Sequence, residues 1–151
     1  MIKLHRGRTK TIYLPWTIGQ VIPIGGLVGM TSGQCIPHVA GTAGAAAIGV
    51  SLKAITSSSD EYTTQGDIAV QVPIEKGVEW EIDVDDTHDL VLLDIGSFFD
   101  LSSESGYESD TVDAGESSED VFQCVGFVSA TKGIFVLNIG LGADTESDLG
   151  A

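Results

Sequence analysis

Few side chains here are of types that carry chemistry, and their spacing decides which chemistry is open to them. Cys35 and His38 stand in CIPH, a C-x-x-H spacing that could begin a zinc site or a cysteine–histidine nucleophile pair. Zinc needs about four ligands, yet only Cys124, His5 and His88 remain to complete the set, and no second closely spaced pair exists. A nucleophile needs an orienting group as well as a base, and none stands out. Asp83, Asp85, Thr87, Asp89 and Asp94 follow the spacing of a calcium loop, but His88 occupies the place where the turn requires glycine and Val91 holds a ligand position. A solvated acidic turn is the default reading. GTAGAAAIG is glycine-rich without the Gly-Lys-Ser/Thr of a phosphate loop. Neither G-x-S-x-G nor H-E-x-x-H occurs. Trp16, Trp80 and Tyr62 could form a sugar-stacking platform, although Trp80 falls on the apolar side of its segment and reads as core. The expectation is a protein that is not an enzyme and that has no cofactor, catalytic residue or resident metal.

Charge is the stronger signal. The opening MIKLHRGRTK holds Lys3, Arg6, Arg8 and Lys10, four of the seven basic residues in a chain of net charge -15. Residues 1–59 contain five basic residues and no acid, whereas residues 60–151 contain all 22 acids and only Lys76 and Lys132, so the parts carry +5 and -20. An acidic body repels phosphates, which argues against nucleic acid as a partner. No apolar run approaches the ~20 residues of a membrane-spanning helix, and no apolar core follows the basic start as in a signal peptide. The acidic composition, poor in lysine, fits a protein working in high salt. It also fits a particle-surface protein kept soluble by charge. Cys35 and Cys124 could pair, or be two separate buried thiols.

The elements that must position these residues are strands. At 151 residues and 42% hydrophobic the chain is one domain with tails. Nineteen glycines interrupt helical periodicity; GTAGAAAIGV has room for one helical turn but reads better as a loop entering a strand. TIYLP is a short strand whose Pro15 suits an end or an edge. Ser32–Gly33 marks a tight hairpin. In AIGVSLKAI, Ile48, Val50, Leu52 and Ala54 are expected on one face. DIAVQVPI alternates cleanly, and VEWEIDV sets Val78, Trp80, Ile82 and Val84 against Glu79, Glu81 and Asp83. DLVLLDIGSFFDL predicts a strand, a bulge at Gly96 and a second strand. Residues 102–120 read as a long solvated loop. VFQCVGFVSA and GIFVLNI form a final hairpin through TKG, and residues 141–151 read as a flexible, disordered acidic tail. Eight or nine short strands predict an all-β barrel or sandwich over residues 15–140, preceded by a basic arm over 1–14. A charged terminus is often merely frayed. A basic, β-prone arm can instead pair with a partner's sheet edge.

The run GGLVGMTSGQCIPHVAG…AIGVSLKAIT…GDIAVQVPIEKG…DIGSFFDLSSE, with the closing VFQCVGFVSATKGIFVLNI, resembles capsid decoration (cement) proteins of tailed bacteriophages and archaeal tailed viruses. The likeness covers roughly residues 10–140, and the acidic insertion 102–120 departs from it. The resemblance implies a small β-barrel of the β-tulip type with an extended N-terminal arm. It implies a virion location on the outer capsid surface, with the major capsid protein as partner and a homotrimeric state. By position, capsid binding then falls on Ile2, Lys3, Leu4, Arg6, Arg8, Lys10, Ile12, Tyr13 and Leu14. In concentrated salt the apolar members and backbone pairing would do most of the holding. A head-fibre base, a tail protein and a carbohydrate-binding adhesion module are the alternatives.

If the composition is an adaptation to salt, the melting temperature falls as salt is withdrawn, because repulsion within the -20 segment is no longer screened. Thermal melts in dilute and in molar salt check this; identical curves refute it.

Overall fold

The computed structural model describes residues 1–39, 47–103 and 109–138. The expected tail at 141–151, the middle of the acidic stretch at 104–108 and most of the glycine–alanine run lie outside them. Among the described residues are eleven strands: β1 Lys3–Arg6, β2 Thr9–Pro15, β3 Leu27–Thr31, β4 Gln34–Pro37, β5 Ala47–Ser51, β6 Asp67–Pro73, β7 Glu79–Val84, β8 Phe98–Leu101, β9 Thr111–Asp113, β10 Phe122–Ser129 and β11 Lys132–Leu137. A one-turn helix, α1, spans Asp60–Thr63 and a 3-10 turn spans Leu92–Asp94. The fold is the expected all-β one, built around a small closed barrel.

The barrel is the ring β7–β11–β10–β8–β9, closed by a parallel pairing of β9 with β7 at Asp83↔Thr111 and Val84↔Val112. Strand β11 runs along one whole edge of β7, from Lys132↔Asp83 to Val136↔Glu79. The opposite edge is shared. β9 takes its final residues, and β1 takes the stretch before them through Lys3↔Glu81, Leu4↔Trp80 and Arg6↔Glu79. Alternation in β7 sends Trp80, Ile82 and Val84 into the barrel core with Val78 just ahead of them, beside Phe99, Leu101, Val112, Phe122, Cys124 and Phe135.

A second sheet has the order β2–β6–β5–β3–β4. It curls back on itself where Trp16, just past β2, bridges Cys35 on β4 and Thr17 N–H donates to the Cys35 carbonyl. Inside it lie Trp16, Ile22, Val28, Cys35, Ile48, Ile55, Ile68, Val70 and Val72. The β3–β4 hairpin turns at Ser32 and Gly33, both with positive φ (50° and 80°), the backbone that a two-residue turn of this hand demands.

Three local readings are corrected. In β5 the predicted single face for Ile48 and Val50 is broken, because Val28↔Gly49 is followed by Gly29↔Ala47 and Ile48 is the extra residue of a bulge. Ile48 therefore packs in the second core and Val50 in the barrel core, while Leu52 lies exposed beyond the strand. The first half of DLVLLDIGSFFDL is not a strand: Asp94 accepts the Val91 N–H at 2.9 Å and winds a 3-10 turn that leaves Leu92 and Leu93 in solvent. The third correction is inside the predicted loop 102–120, where Thr111–Asp113 is a buried strand that closes the barrel.

That closure depends on one carboxylate. Asp100 is buried on β8 and accepts hydrogen bonds from the Ser118 N–H and Oγ, the Glu119 N–H and the Asp120 N–H, all between 2.8 and 3.0 Å. Burial pushes the Asp100 carboxyl up, but the bonds from Glu119 and Ser118 outweigh it and hold the group below its ordinary 3.8. Asp100→Ala leaves three backbone donors without that acceptor and is expected to cost about 3 kcal/mol in denaturant melts. Because the folded pKa is depressed, the contribution is complete above pH 3.8 and is lost as pH falls through the folded value. The gap between wild type and variant should therefore close in acid.

Candidate functional site

The nine residues expected to hold a capsid are not on a free arm. Seven of them lie in β1 and β2, with Ile2 just before β1 and Arg8 between the two, and both strands are paired with the same chain, so no break separates residues 1–14 from the body. Ile2 is 3% exposed in the barrel core, its N–H bonded to the Gly25 carbonyl at 3.0 Å. The physical reason is the other edge of β7, which would stand open beside the end of β9 if β1 did not lie there.

The basic residues are drawn into the same work. Arg6 reaches Glu79 at 2.6 Å, Arg8 reaches Glu75 at 3.0 Å, and Lys3 lies 3.9 Å from Glu81. The Met1 ammonium sits 2.9 Å from Asp83. From the far side Lys132 approaches both Glu81 and Asp83, at 3.4 and 3.7 Å. The backbone N–H of Arg8, and then its guanidinium, hold the Glu75 carboxyl below the usual range. The early cations thus largely meet acids of the same chain: Lys3 and Arg6 those of β7, and Arg8 the Glu75 that precedes it. Lys10 forms no ion pair with the described residues.

Strand β2 presents a different surface. It pairs along its length with β6 alone, from Thr9↔Pro73 to Pro15↔Asp67. In an antiparallel ladder, alternate residues turn their backbone groups to the partner. Ile74 N–H donates to the Arg8 carbonyl, so the even positions Lys10, Ile12 and Leu14 face β6. Thr9, Thr11 and Tyr13 turn their N–H and C=O groups outward. No described residue bonds to those groups. Ile12 and Leu14 pack on the second core, while Thr11 is exposed and Tyr13 is 70% exposed. The result is an open sheet edge with an aromatic side chain standing beside it. Pro15 hinted at an edge in the sequence; which flank stayed open depended on the sheet order.

The other sequence candidates are placed elsewhere. Cys35 is buried, its thiol pushed up to about 12 by burial and then by the charge of Asp67. It contacts Met30 Sδ at 3.4 Å. His38 is buried with it in the fold's interior. Cys124 is a free thiol in the barrel core, so the two cysteines do not pair. The calcium-loop residues are dispersed: Asp85 is buried and accepts from Ser102 Oγ and Thr87 Oγ1, both at 2.6 Å, while Asp94 caps the 3-10 turn. Trp16 and Trp80 are fully buried and Tyr62 packs on the second core, so they form no sugar platform. Asp100, Asp113, Glu116 and Glu119 border an acidic cleft of about 340 Å³. Asp100 is taken up by residues 118–120 and Asp113 accepts the Gly115 N–H. Among the described residues no group of three or more His, Cys, Asp or Glu is placed to hold a metal ion.

No protein-family model, curated protein or solved structure matches this chain.

Because Ile2 belongs to the core, Ile2→Ala is expected to destabilise the fold by about 2–4 kcal/mol. Removing residues 1–14 should abolish the cooperative melt, since β1, β2 and Ile2 go with them. Denaturant unfolding followed by tryptophan fluorescence checks both; a truncated chain that melts like the whole would show that these strands are dispensable.

Proposed function

We propose that this protein is a structural virion component that binds the outer surface of a viral capsid and cements neighbouring major capsid subunits. The observation that carries the reading is the open edge of β2. An unpaired strand edge is a template for a strand from another chain, and soluble proteins ordinarily cover or blunt such edges. Here the edge strand carries Tyr13 and Lys10, a cation that forms no ion pair with the described residues. A strand or arm from a shell subunit adding to β2 would gain main-chain hydrogen bonds at Thr9, Thr11 and Tyr13, with Tyr13 as the aromatic anchor.

Of the nine residues first assigned to capsid binding, Lys10 and Tyr13 keep that role, joined by the outward backbone of Thr9 and Thr11. Ile2, Lys3, Leu4, Arg6 and Arg8 serve the protein's own fold, Leu4 through its pairing with Trp80; Ile12 and Leu14 set the strand's position from beneath. Cementing then needs no reaction. A protein that binds the assembled shell and not its separated subunits stabilises the shell by linkage. A homotrimer would engage three such sites at once and multiply the effect. The acidic remainder of the surface would keep particles apart.

Thr11→Pro is the discriminating variant. The Thr11 N–H points away from β6, so proline removes no internal hydrogen bond, and proline is tolerated on edge strands. The expected result is an unchanged melt with attachment to shells from the same source reduced about tenfold or more, as judged by co-sedimentation, one lost main-chain bond in a desolvated edge being worth that much. Undiminished attachment would overturn the edge model. Antibody labelling of intact particles separates a shell location from a fibre base or tail.

A further inference from the structure

Residues 90–98 run beside β10 and are pinned at both ends, to Cys124 within it and to Ala130 just beyond it. Leu90 N–H donates to the Ala130 carbonyl at 2.9 Å, Gly96 N–H to the Cys124 carbonyl at 2.7 Å, and Cys124 N–H to the Ser97 carbonyl at 2.9 Å. Between the pins the 3-10 turn swings outward, with Leu92 65% and Leu93 92% exposed and Ile95 half-exposed. Alongside, β10 exposes Val125, Phe127 and Val128. Val91 and Phe98 flank this ledge, also exposed.

We infer that this ledge is the surface on which copies of this chain associate with one another. Its extent is the first reason. Eight large apolar residues, each at least 39% exposed, gather on these two adjoining segments, whereas the exposed apolar residues of an ordinary monomer are scattered singly. Charge is the second. The chain carries -15, so almost any face-to-face approach of two copies sets carboxylates against carboxylates. LVLLDIGSFF and VFQCVGFVSAT contain a single charged residue, Asp94, and its carboxylate is occupied by the Val91 N–H. The ledge is therefore where two such acidic bodies can meet with the fewest opposed charges, a single Asp94 from each. A cationic partner would gain nothing there and would be drawn instead to the acidic surface. The contact stands on the ledge alone and does not depend on what the β2 edge binds.

Sedimentation equilibrium of the full chain, in dilute and in molar salt, tests it. The expected result is concentration-dependent self-association that tightens with salt, because salt screens the repulsion between bodies and strengthens apolar burial. Leu93→Glu and Phe127→Glu, each setting a carboxylate into the contact, should weaken association at least ~100-fold. Leu93 is too exposed for its replacement to disturb the fold, which circular dichroism and an unchanged melt of the dilute variant verify. Thr11→Pro should associate like the wild type. A wild type that stays monomeric throughout, or a Leu93→Glu variant that associates equally well, overturns the inference. So does a monomeric wild type whose shell attachment is lost on Leu93→Glu, which would assign the ledge to the shell.

Discussion

Strand β7 has two edges and three neighbours, and the rest of the molecule is arranged around that constraint. One edge belongs wholly to β11. The other is divided end to end between β1, from the start of the chain, and β9, from deep within it. Because β9 covers only the last residues of β7, the rest of that edge is left for the first strand. The side chains of β7 obey the same division. Trp80, Ile82 and Val84 fill the interior, while Glu79, Glu81 and Asp83 meet cations approaching from β1 on one flank and β11 on the other. Exposed ion pairs of this kind contribute little each. Their work is to fix which strands lie beside β7 and in what register, since a slip of one residue would put every carboxylate against the wrong neighbour.

That arrangement alters the meaning of the charge split. In the sequence, a basic start followed by a long acidic remainder looks like a device for finding a partner. In the fold, Arg6, Arg8 and Lys3 find theirs inside the same chain. What stays available for outside contact is less conspicuous in composition: the uncovered main chain of β2 and an apolar shelf with one carboxylate next to β10. Neither is a cluster of reactive groups, and both are suited to holding surfaces together.

Where period-two patterning was undisturbed, the sequence was legible. Ile68, Val70 and Val72 and the β7 series point inward as their alternation dictates, and the Ser32–Gly33 turn lies where its residue types place it. Legibility failed where a contact distant in sequence overrode the local pattern. Ile48 bulges out of register because β5 is buried on both sides, between two cores that only the tertiary fold creates. Thr111–Asp113 is invisible in an acid-rich stretch because its burial depends on Asp100 gathering the backbone of residues 118–120 from across the barrel. LVLL is apolar enough for a strand, but Asp94 turns it into a tight coil whose leucines face outward. The open edge is half-readable. Pro15 marks β2 as an edge strand in the sequence, whereas which of its flanks is open follows from the strand order alone.

The shared edge of β7 also sets the order of events in time. Leu4 pairs with Trp80, and Val84 closes the ring with Val112, so the first strand emerges from the ribosome long before its neighbour exists. The ring in turn waits for β10 and β11 near the other terminus. Contacts of such long sequence separation make folding slow and leave strand edges bare in the interim. In a nascent chain the opening residues stay unpaired in two stages: β2 waits for β6, which completes the second sheet, and β1 waits longer, until β7 has been made.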